Sequence, residues 1–277
     1  MSHRLARAGF VAAKFLVALL ALGYVALLGV LYVAQEHLIF RGIPLPADHR
    51  FYFDTRFEEV RIPVSGASLD ALHFRQPDPR GLVFYLHGNA GNLETWTTGL
   101  DFYRQVNYDL FIFDYRGYGK STGRIGSEDE LNADVRAAWD SIAPAYRGKP
   151  IVVFGRSLGT GLAARLARDV DPALLVLVTP YTSLAAAAKR AYPLTPEWLL
   201  RYPLRTDALI GDVRSPMLLL HGAQDTLIPL ADSERLVTLT RSPAELVVVP
   251  GAGHNDMHRF ASYLDALAER LLRAGGR

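Results

Sequence analysis

Gly155-Arg156-Ser157-Leu158-Gly159 follows the apolar run Ile151-Val152-Val153-Phe154 and precedes the helix-forming stretch 162–167. This order predicts a strand, a sharp turn and a helix, with Ser157 at the turn. Glycine is favoured on both sides of the serine because a residue without a Cβ lets the flanking backbone segments pass close together. The same pattern also occurs as an ordinary turn before a helix. Assigning Ser157 as a nucleophile therefore requires an acid, a histidine and oxyanion donors elsewhere in the chain.

Size and composition limit the classes of protein to which this chain can belong. With 277 residues, of which 50% are hydrophobic and 21% charged, the chain is long enough for one large domain with a continuous core. The net charge is only +2 and the basic residues are scattered, so no nucleic-acid partner is indicated. Cysteine is absent, which excludes disulfides, thiolate catalysis and cysteine-based zinc sites but leaves the cellular compartment open.

The N-terminus differs from the rest of the chain. Phe15 to Ala34 is a run of twenty residues without a formal charge, which would span roughly 30 Å as a helix. This length favours an uncleaved membrane anchor over a cleaved signal peptide or a buried core helix. A signal peptide cut after Ala34 would also place the bulky Tyr32 where a small residue is preferred.

Basic residues around this segment predict its orientation. Arg4, Arg7 and Lys14 precede it, whereas Arg41 and Arg50 follow it closely. The positive-inside rule therefore favours a cytoplasmic N-terminus and a catalytic domain on the non-cytoplasmic side. The predicted organisation is a short basic segment at 1–14, a transmembrane anchor at 15–34, a linker at 35–56 and a catalytic domain at 57–277.

Beyond the linker, strand-like and helix-like segments alternate, which predicts an α/β fold with a mostly parallel, doubly wound sheet and helices on both faces. An antiparallel pair, Phe57 to Val64 and Ser68 to Phe74, opens the domain. The predicted buried strands are Leu82 to Leu86, Leu110 to Phe113, Ile151 to Phe154, Leu174 to Val178, Met217 to Leu220 and Leu246 to Val249. The clearest predicted helices are Glu128 to Ala143, Ser157 to Ala167, Ala231 to Leu239 and Asp256 to Arg273.

The segment 185–212 is longer than an ordinary connecting loop. One interpretation is a pair of short packing helices. The other is a small cap over the catalytic face that supplies an apolar acyl pocket through Tyr192, Leu194, Trp198 and Leu199.

Two loops at strand ends carry the predicted oxyanion donors. The strand at Leu82 leads into His87-Gly88-Asn89-Ala90-Gly91-Asn92, a glycine- and asparagine-rich loop that can turn a backbone N–H towards a developing oxyanion. Asn89 is the predicted first donor, and Leu158, directly after the serine, is the second. The alternative is that His87-Gly88 is only a turn that ends the strand.

Asp225 is the predicted acid. It lies in the loop that follows the strand at Met217, where a carboxylate is needed to orient a catalytic imidazole. A solvated aspartate in a turn is the alternative interpretation. Asp207 and Asp212 are weaker candidates because they precede this strand.

His254 is the predicted base, because it follows the last strand and histidine exchanges protons near neutral pH. Its rival is His258, which is predicted to lie one turn into the terminal helix and to serve in packing or at the surface. The two histidines are four residues apart, but no adjacent glutamate accompanies them, so no metal or other cofactor is predicted.

Two further patterns have ordinary structural interpretations. Gly117-Tyr118-Gly119-Lys120-Ser121 ends like a phosphate-binding loop, but the required first glycine is replaced by Asp114. Asp114 and Arg116 are expected to form a structural turn, in which they could pair with each other, and a role in substrate binding is the alternative. Arg156, beside Ser157, is expected either to bond a neighbouring acid or to meet an anionic group of the substrate.

The resulting chain order is serine, acid, histidine, and with it the chain resembles an α/β-hydrolase. The segments at 87–92, 114–121 and 155–159 together are similar to a branch of small, often membrane-anchored α/β-hydrolase domain proteins. The resemblance extends from Phe57 to the C-terminus. It implies hydrolysis of carboxylic esters or thioesters, with some members of the branch acting on lipid or lipidated substrates.

The predicted function is acyl transfer to water by a membrane-anchored serine hydrolase with a Ser157, His254 and Asp225 triad. The expected partners are a small-molecule or lipid-like acyl substrate and the membrane itself. The alternatives are a serine peptidase with the same triad and a non-catalytic membrane scaffold.

Overall fold

A long N-terminal helix opens the computed structural model, which describes residues 2–274. This helix, α1, covers Ser2–Ile39 and contains a stretch from Gly9 to Ile39 that is long and apolar enough to cross a membrane. It continues beyond the predicted anchor, 15–34, into the first five residues of the predicted linker, 35–56. The prediction ended where charged and polar residues begin, but Gln35 and Glu36 are good helix formers and extend the helix.

Ten strands lie within the described residues, and eight of them form the main sheet. They are β1 (Arg41–Gly42), β2 (Phe57–Val64), β3 (Ala67–Phe74), β4 (Leu82–Leu86), β5 (Ala90–Gly91), β6 (Asp109–Phe113), β7 (Ile151–Arg156), β8 (Leu174–Val178), β9 (Met217–Gly222) and β10 (Ala244–Val249). The order across the main sheet is β10-β9-β8-β7-β4-β6-β3-β2. β2 and β3 form an antiparallel hairpin, β3 runs antiparallel to β6, and the remaining pairs are parallel.

Helices cover both faces of this sheet. They are α2 (Leu93–Trp96), α3 (Leu100–Gln105), α4 (Glu128–Ile142), α5 (Gly159–Val170), α6 (Leu184–Ala191), α7 (Thr206–Leu209), α8 (Leu230–Leu239) and α9 (Ala261–Arg273). Trp139 of α4 and Leu162 of α5 belong to the core on one face, whereas Leu267 of α9 belongs to the core on the other. The predicted fold class, a mostly parallel sheet between two helical layers, is confirmed.

Two helix boundaries differ from the predictions near the candidate site. α5 begins at Gly159 and not at Ser157, because Ser157 has a φ of 50° and cannot belong to a right-handed helix. The terminal segment is divided into a 3₁₀ turn, Met257–Arg259, and the helix α9. His258 therefore lies in a turn that precedes the terminal helix and not within that helix.

The segment 185–212 contains several short pieces. These are most of α6, a 3₁₀ turn at Glu197–Leu199, α7 and a 3₁₀ turn at Ile210–Asp212. Tyr192 and Leu199 line a groove between this segment and α1, together with Leu31 and Ile39. Short packing helices therefore describe its local structure: its first part lies against the N-terminal helix, and its second part, with Ile210, belongs to the core beside the sheet.

Candidate active site

Ser157 occupies a strained turn between β7 and α5. Its φ of 50° lies in the left-handed region, which residues other than glycine rarely adopt. A Cβ on Gly155 would lie 2.6 Å from the Cβ of Ala163, and a Cβ on Gly159 would overlap the carbonyl oxygen of Leu86 in β4. Both glycines are therefore required by close backbone packing, as the sequence pattern indicates. The turn holds the serine side chain at the carboxyl edge of the sheet.

The structure brings Ser157, His254 and Asp225 together. The Oγ atom of Ser157 lies 2.9 Å from Nε2 of His254, and Nδ1 of His254 lies 2.7 Å from Oδ2 of Asp225. Asp225 follows β9 and His254 follows β10, so three parallel strands deliver the three side chains to one edge. In this geometry Asp225 orients the imidazole, and the imidazole faces the serine oxygen.

Hydrogen bonds keep the carboxylate of Asp225 ionised. Its Oδ1 accepts the backbone N–H groups of Leu227 and Ile228, both at 2.9 Å. Burial by itself would raise the pKa of Asp225, but the hydrogen bonds from His254 and from these N–H groups outweigh burial and lower the pKa below its usual range. A buried negative charge is therefore fixed beside His254.

The alternative acids lie in other interactions. Asp207 is paired with Arg205 at 2.7 Å, and Asp212 lies 3.8 Å from Arg241. Neither contacts His254 in the described part of the chain. Only Asp225, of these three carboxylates, is hydrogen-bonded to the predicted base.

His258, the alternative base, lies apart from the serine–histidine pair. It lines a groove with Arg156 and Trp96. Burial lowers its pKa, and the positive charge of Arg156 lowers it further. Among residues 2–274, no group of three or more side chains has the arrangement of a metal site, so His254 and His258 form no such cluster there.

The predicted oxyanion loop lies against the serine. A Cβ on Gly88 would be 3.6 Å from the Cβ of Ser157, so the backbone that leads into Asn89 passes beside the candidate nucleophile. Within the described residues, the N–H groups of Asn89 and Leu158 donate to no protein acceptor. Two unpaired backbone N–H groups near one serine can donate hydrogen bonds to the negatively charged oxygen of a tetrahedral intermediate.

A buried cluster that the sequence did not predict packs against this loop. The ring of His87 lies between Trp96 and Tyr115, with ring centroids 5.7 and 4.2 Å away, and Nδ1 is 2.8 Å from the carbonyl oxygen of Gly88. Nε2 of His87 faces Asp114 at 3.5 Å, and Asp114 accepts the backbone N–H of Leu93 at 3.3 Å. Burial raises the pKa of Asp114. His87 and Asp114 thus brace the loop from inside the protein.

The predicted pairing of Asp114 with Arg116 is wrong. Arg116 instead binds Asp134 through two hydrogen bonds of 2.6 and 2.8 Å, and it also pairs with Glu130 at 2.8 Å. Both partners lie on α4, some 15 residues further along the chain, and a local turn pattern does not report such a contact.

Within the described residues, Arg156 pairs with no acidic side chain. Its guanidinium donates to the carbonyl oxygen of Asn255 at 3.0 Å and stacks over Trp96, 5.2 Å from the ring centroid. Asn255 directly follows His254 in the chain. Arg156 therefore ties the turn that carries the serine to the loop that carries the histidine, a role that the sequence did not predict.

Comparisons with known proteins agree with this fold. A model of the family described as serine aminopeptidase, S33, matches residues 77–208. Human alpha/beta hydrolase domain-containing protein 17B is 31% identical over 198 residues, which cover 70% of this chain and 67% of the human protein. An uncharacterized protein of Mycobacterium tuberculosis is 39% identical over 184 residues, which cover 63% of each chain.

Solved structures show the same fold at lower sequence identity. An esterase of Pyrococcus furiosus is 21% identical, with a TM-score of 0.69, over 86% of this chain and 99% of the esterase. A monoacylglycerol lipase of Paleococcus ferrophilus is 21% identical, with a TM-score of 0.59, over 74% of this chain and 99% of the lipase. With the sheet order, the turn at Ser157 and the related sequences in agreement, the chain belongs to the α/β-hydrolase superfamily and is a hydrolase that resembles the α/β-hydrolase domain-containing proteins.

Proposed function

We propose that this protein is a membrane-anchored serine hydrolase that cleaves carboxylic esters or thioesters. The observation that carries the proposal is the continuous hydrogen-bonded series from Ser157 Oγ through His254 to Asp225, with distances of 2.9 and 2.7 Å. A serine hydroxyl is a weak nucleophile until a neighbouring base accepts its proton. His254 is in reach to do so, and the ionised Asp225 stabilises the imidazolium that forms.

The reaction proceeds through an acyl-enzyme. Ser157 Oγ attacks the acyl carbon while His254 takes the serine proton, and the N–H groups of Asn89 and Leu158 stabilise the tetrahedral oxyanion. His254 then gives the proton to the departing alcohol or thiol, and the acyl group remains on Ser157. A water molecule, deprotonated by the same histidine, attacks the acyl-enzyme, and the acid leaves as Ser157 recovers its proton. Protein groups and water perform every step.

The position of α1 supports a membrane location for this chemistry. Its apolar stretch reaches Ile39, and only two residues later the N–H of Arg41 donates to the carbonyl oxygen of Asn89 at 2.7 Å. A helix that spans a bilayer would thus end directly beside the catalytic edge of the sheet. This arrangement favours substrates with an acyl chain at a membrane surface, such as lipid esters or acylated proteins.

A serine-directed fluorophosphonate probe tests the proposed nucleophile. The wild-type protein should be labelled, Ser157→Ala should not, and Ser141→Ala, a change in the distant helix α4, should label like the wild type. A folded wild-type protein that resists labelling would support a non-catalytic scaffold. Labelling that persists in Ser157→Ala would assign the nucleophile to another residue.

Peptide hydrolysis is the second candidate, because the matching family is described as a serine aminopeptidase. The same triad can cleave an amide when the histidine protonates the leaving amine. A panel of esters, thioesters and aminoacyl amides of graded length, with Ser157→Ala as the blank, separates the two candidates. Faster turnover of long-chain esters or thioesters would support the proposal, and a preference for amides would replace it.

The proposed orientation places the catalytic domain on the non-cytoplasmic side. The chain has no cysteine, so single cysteines introduced at Ser2 and at the exposed Arg147 can report the topology. In intact cells, a membrane-impermeant maleimide should label the cysteine at position 147 and not that at position 2. The reverse pattern would invert the orientation, and recovery of both variants in the soluble fraction would argue against an anchor.

A further inference from the structure

The segment that follows α6 runs along α1 in the same direction as the helix, since Leu194 contacts Tyr24 and Leu199 contacts Gln35. Gln35 accepts the backbone N–H of Arg201 at 2.7 Å and donates to the carbonyl oxygen of Leu199 at 3.3 Å. Eleven residues earlier on α1, the hydroxyl of Tyr24 donates to the carbonyl oxygen of Leu194 at 2.7 Å. Since a helix rises ~1.5 Å per residue, these contacts span ~16 Å along α1. Residues 192–198, named the cap loop here, therefore lie beside the apolar part of this helix.

The cap loop exposes large apolar side chains. Leu194 is 81% exposed, Trp198 is 77% exposed and Tyr192 is 50% exposed. The face of α1 around Tyr24 is also apolar and exposed, for example at Leu20 and Leu27, four residues before and three after Tyr24. A helix that is apolar on all sides is found in a protein core or in a membrane, and α1 is not buried in the described structure. The helix and the cap loop thus form one continuous apolar surface. The medium that surrounds this helix, lipid or water, therefore also contacts the loop.

The contact between Tyr24 and Leu194 constrains where the bilayer crosses α1. If Phe15 to Ala34 spanned the hydrocarbon, Tyr24 would lie ~15 Å deep, near the midplane. The cap loop would then carry Glu197, and nearby Lys189, towards the centre of the bilayer, where charged side chains are costly. This position of the bilayer conflicts with the loop contacts.

A position six residues earlier removes the conflict. Gly9 to Leu28 is also twenty residues long and spans ~30 Å. Tyr24 then lies four residues, or ~6 Å, inside the hydrocarbon boundary, and Leu194 lies at the same depth. Lys14 is ~8 Å inside the opposite boundary, from which its flexible side chain can extend to the headgroups. The polar residues Gln35 and Glu36 remain outside, where they bind the catalytic domain.

We propose that the cap loop inserts into the bilayer beside α1, with Gly9 to Leu28 as the membrane-spanning residues. Leu194 enters the upper acyl region, and Tyr192 and Trp198 lie near the headgroups, where aromatic residues are favoured. The proposal rests on the membrane anchoring stated under the proposed function. The catalytic domain would then contact the bilayer directly through the cap loop, and not only through α1.

Depth-dependent fluorescence quenching tests this proposal in the full-length protein. Because the chain lacks cysteine, single cysteines can be introduced at Leu194, Leu19, Val25 and Leu272 and labelled with a polarity-sensitive fluorophore. Leu272 is a matched control because it is an exposed leucine far from Ser157. The carbonyl oxygen of its neighbour Leu271 accepts the hydroxyl of Tyr108, which precedes β6 at the edge of the sheet opposite Ser157. Each variant is reconstituted in phosphatidylcholine vesicles with nitroxide groups high or low on the acyl chains.

The expected pattern separates the loop from the anchor. The fluorescence emission of the label at position 194 should shift to shorter wavelength and be quenched most by nitroxides high on the lipid acyl chains. The emission of the label at position 272 should not change. Leu19, at the centre of Gly9 to Leu28, should be quenched most by the low nitroxides and more than Val25. A stronger effect at Val25 would overturn the proposed span.

Other outcomes distinguish failure of the two proposals. Quenching at Leu19 without quenching at Leu194 would overturn loop insertion and leave the anchor intact. A blue shift at Leu194 without lipid quenching would mean that a protein surface covers the loop. Absence of quenching at both positions would contradict membrane anchoring itself. Labelling of Ser157 by the fluorophosphonate probe confirms that each variant is folded.

Discussion

The backbone of Ser157 is held in its strained conformation by hydrogen bonds on both sides. Its own N–H donates to the carbonyl oxygen of Val178 at 2.9 Å, and its carbonyl oxygen accepts the N–H and the hydroxyl of Thr160 at 2.9 and 2.7 Å. A positive φ at a residue other than glycine persists only when its surroundings determine it several times over. The same constraints aim the Ser157 side chain at His254, so the strained backbone and the hydrogen bond to the imidazole have a common structural origin.

Gly159→Ala should damage both stability and reactivity. The new Cβ would overlap the carbonyl oxygen of Leu86, a backbone atom of β4 that lies directly before the oxyanion loop. Overpacking of this kind costs about 1–3 kcal/mol of unfolding free energy. The unfolding midpoint and the rate of fluorophosphonate labelling should therefore both fall.

The control for this change is Gly126→Ala. Its Cβ would meet only the Glu130 carboxylate, at 3.2 Å, and a shift of that side-chain atom by a few tenths of an ångström is enough to accommodate it. If Gly159→Ala unfolds and reacts like Gly126→Ala, the close approach between the nucleophile turn and β4 is not required.

His221 supports the acid loop in its neutral form. Its Nε2 lies 2.9 Å from the carbonyl oxygen of Ile228, and its Nδ1 lies 2.7 Å from the hydroxyl of Ser233. The carbonyl can only accept, so Nε2 carries the proton and Nδ1 accepts from the serine. Burial lowers the pKa of His221 from its ordinary value of 6.5.

This lowered pKa predicts that acid weakens the fold. As the pH falls below 6.5, the unfolded chain binds a proton at His221 before the folded protein does, so stability falls until the pH reaches the folded pKa. His221→Gln, whose amide can also donate and accept, should lose less stability between about pH 7.5 and pH 5.5. Urea unfolding at both pH values measures the difference, and equal losses in wild type and variant would show that His221 does not contribute.

At the scale of the elements, the strands that carry the site could be predicted from their composition. β4 and β8 agree with the predicted bounds because each is a continuous apolar run between polar loops. Parallel strands end at the same edge, so the loops after β7, β9 and β10 were expected to meet. The proximity of Ser157, Asp225 and His254 could therefore be predicted from local sequence patterns and from the rule that parallel strands end at the same edge of a sheet.

Other elements depend on contacts that no local pattern reports. β1 contains only Arg41 and Gly42, which lack the alternation of a strand, yet it pairs in parallel with β5 in the oxyanion loop. The pairing exists because the end of α1 delivers this segment to the catalytic edge. The 3₁₀ turn at Met257–Arg259 could not be distinguished from the terminal helix in the sequence, because the apolar spacing of α9 continues through it.

The pairing of β1 with β5 predicts a catalytic role for the segment after α1. The N–H of Arg41 and the hydroxyl of Tyr118 both donate to the carbonyl oxygen of Asn89, at 2.7 and 2.8 Å. Arg41→Pro removes the first donor, whereas Arg41→Ala keeps it. Because the N–H of the same Asn89 is a proposed oxyanion donor, kcat for an ester should fall about 10- to 100-fold in Arg41→Pro, with less change in KM.

The comparison of the two Arg41 variants decides this prediction. Arg41→Ala should retain the kcat of the wild type, because its side chain is not needed for the backbone bond. A shared loss in both variants would assign the effect to the arginine side chain. Equal kcat in Arg41→Pro and Arg41→Ala would mean that the oxyanion loop holds its shape without β1.

At the scale of the whole molecule, α1 combines two kinds of surface. Most of the helix exposes apolar side chains, but its last turns carry the buried Gln35 and the half-buried Glu36, which accepts the hydroxyl of Tyr202 at 2.9 Å. At the end of the helix the contacts with the catalytic domain are therefore polar and directional, next to the apolar groove that Leu31 and Ile39 line. Such an interface fixes the orientation of the domain relative to the helix axis, which a purely apolar contact would not do.

Gln35→Leu should loosen this junction without disabling the active site. The change leaves the N–H of Arg201 without its acceptor, and an unpaired buried donor costs about 1–3 kcal/mol. Amide hydrogen exchange should accelerate across residues 199–204, while fluorophosphonate labelling of Ser157 continues, since the triad is held by β7, β9 and β10. His37→Leu, an exposed position on the same helix, should leave exchange unchanged. If both variants show the amide exchange of the wild type, the catalytic domain does not depend on Gln35 for its orientation. If exchange accelerates in Gln35→Leu and fluorophosphonate labelling is lost as well, the helix end and the candidate triad form one cooperative unit.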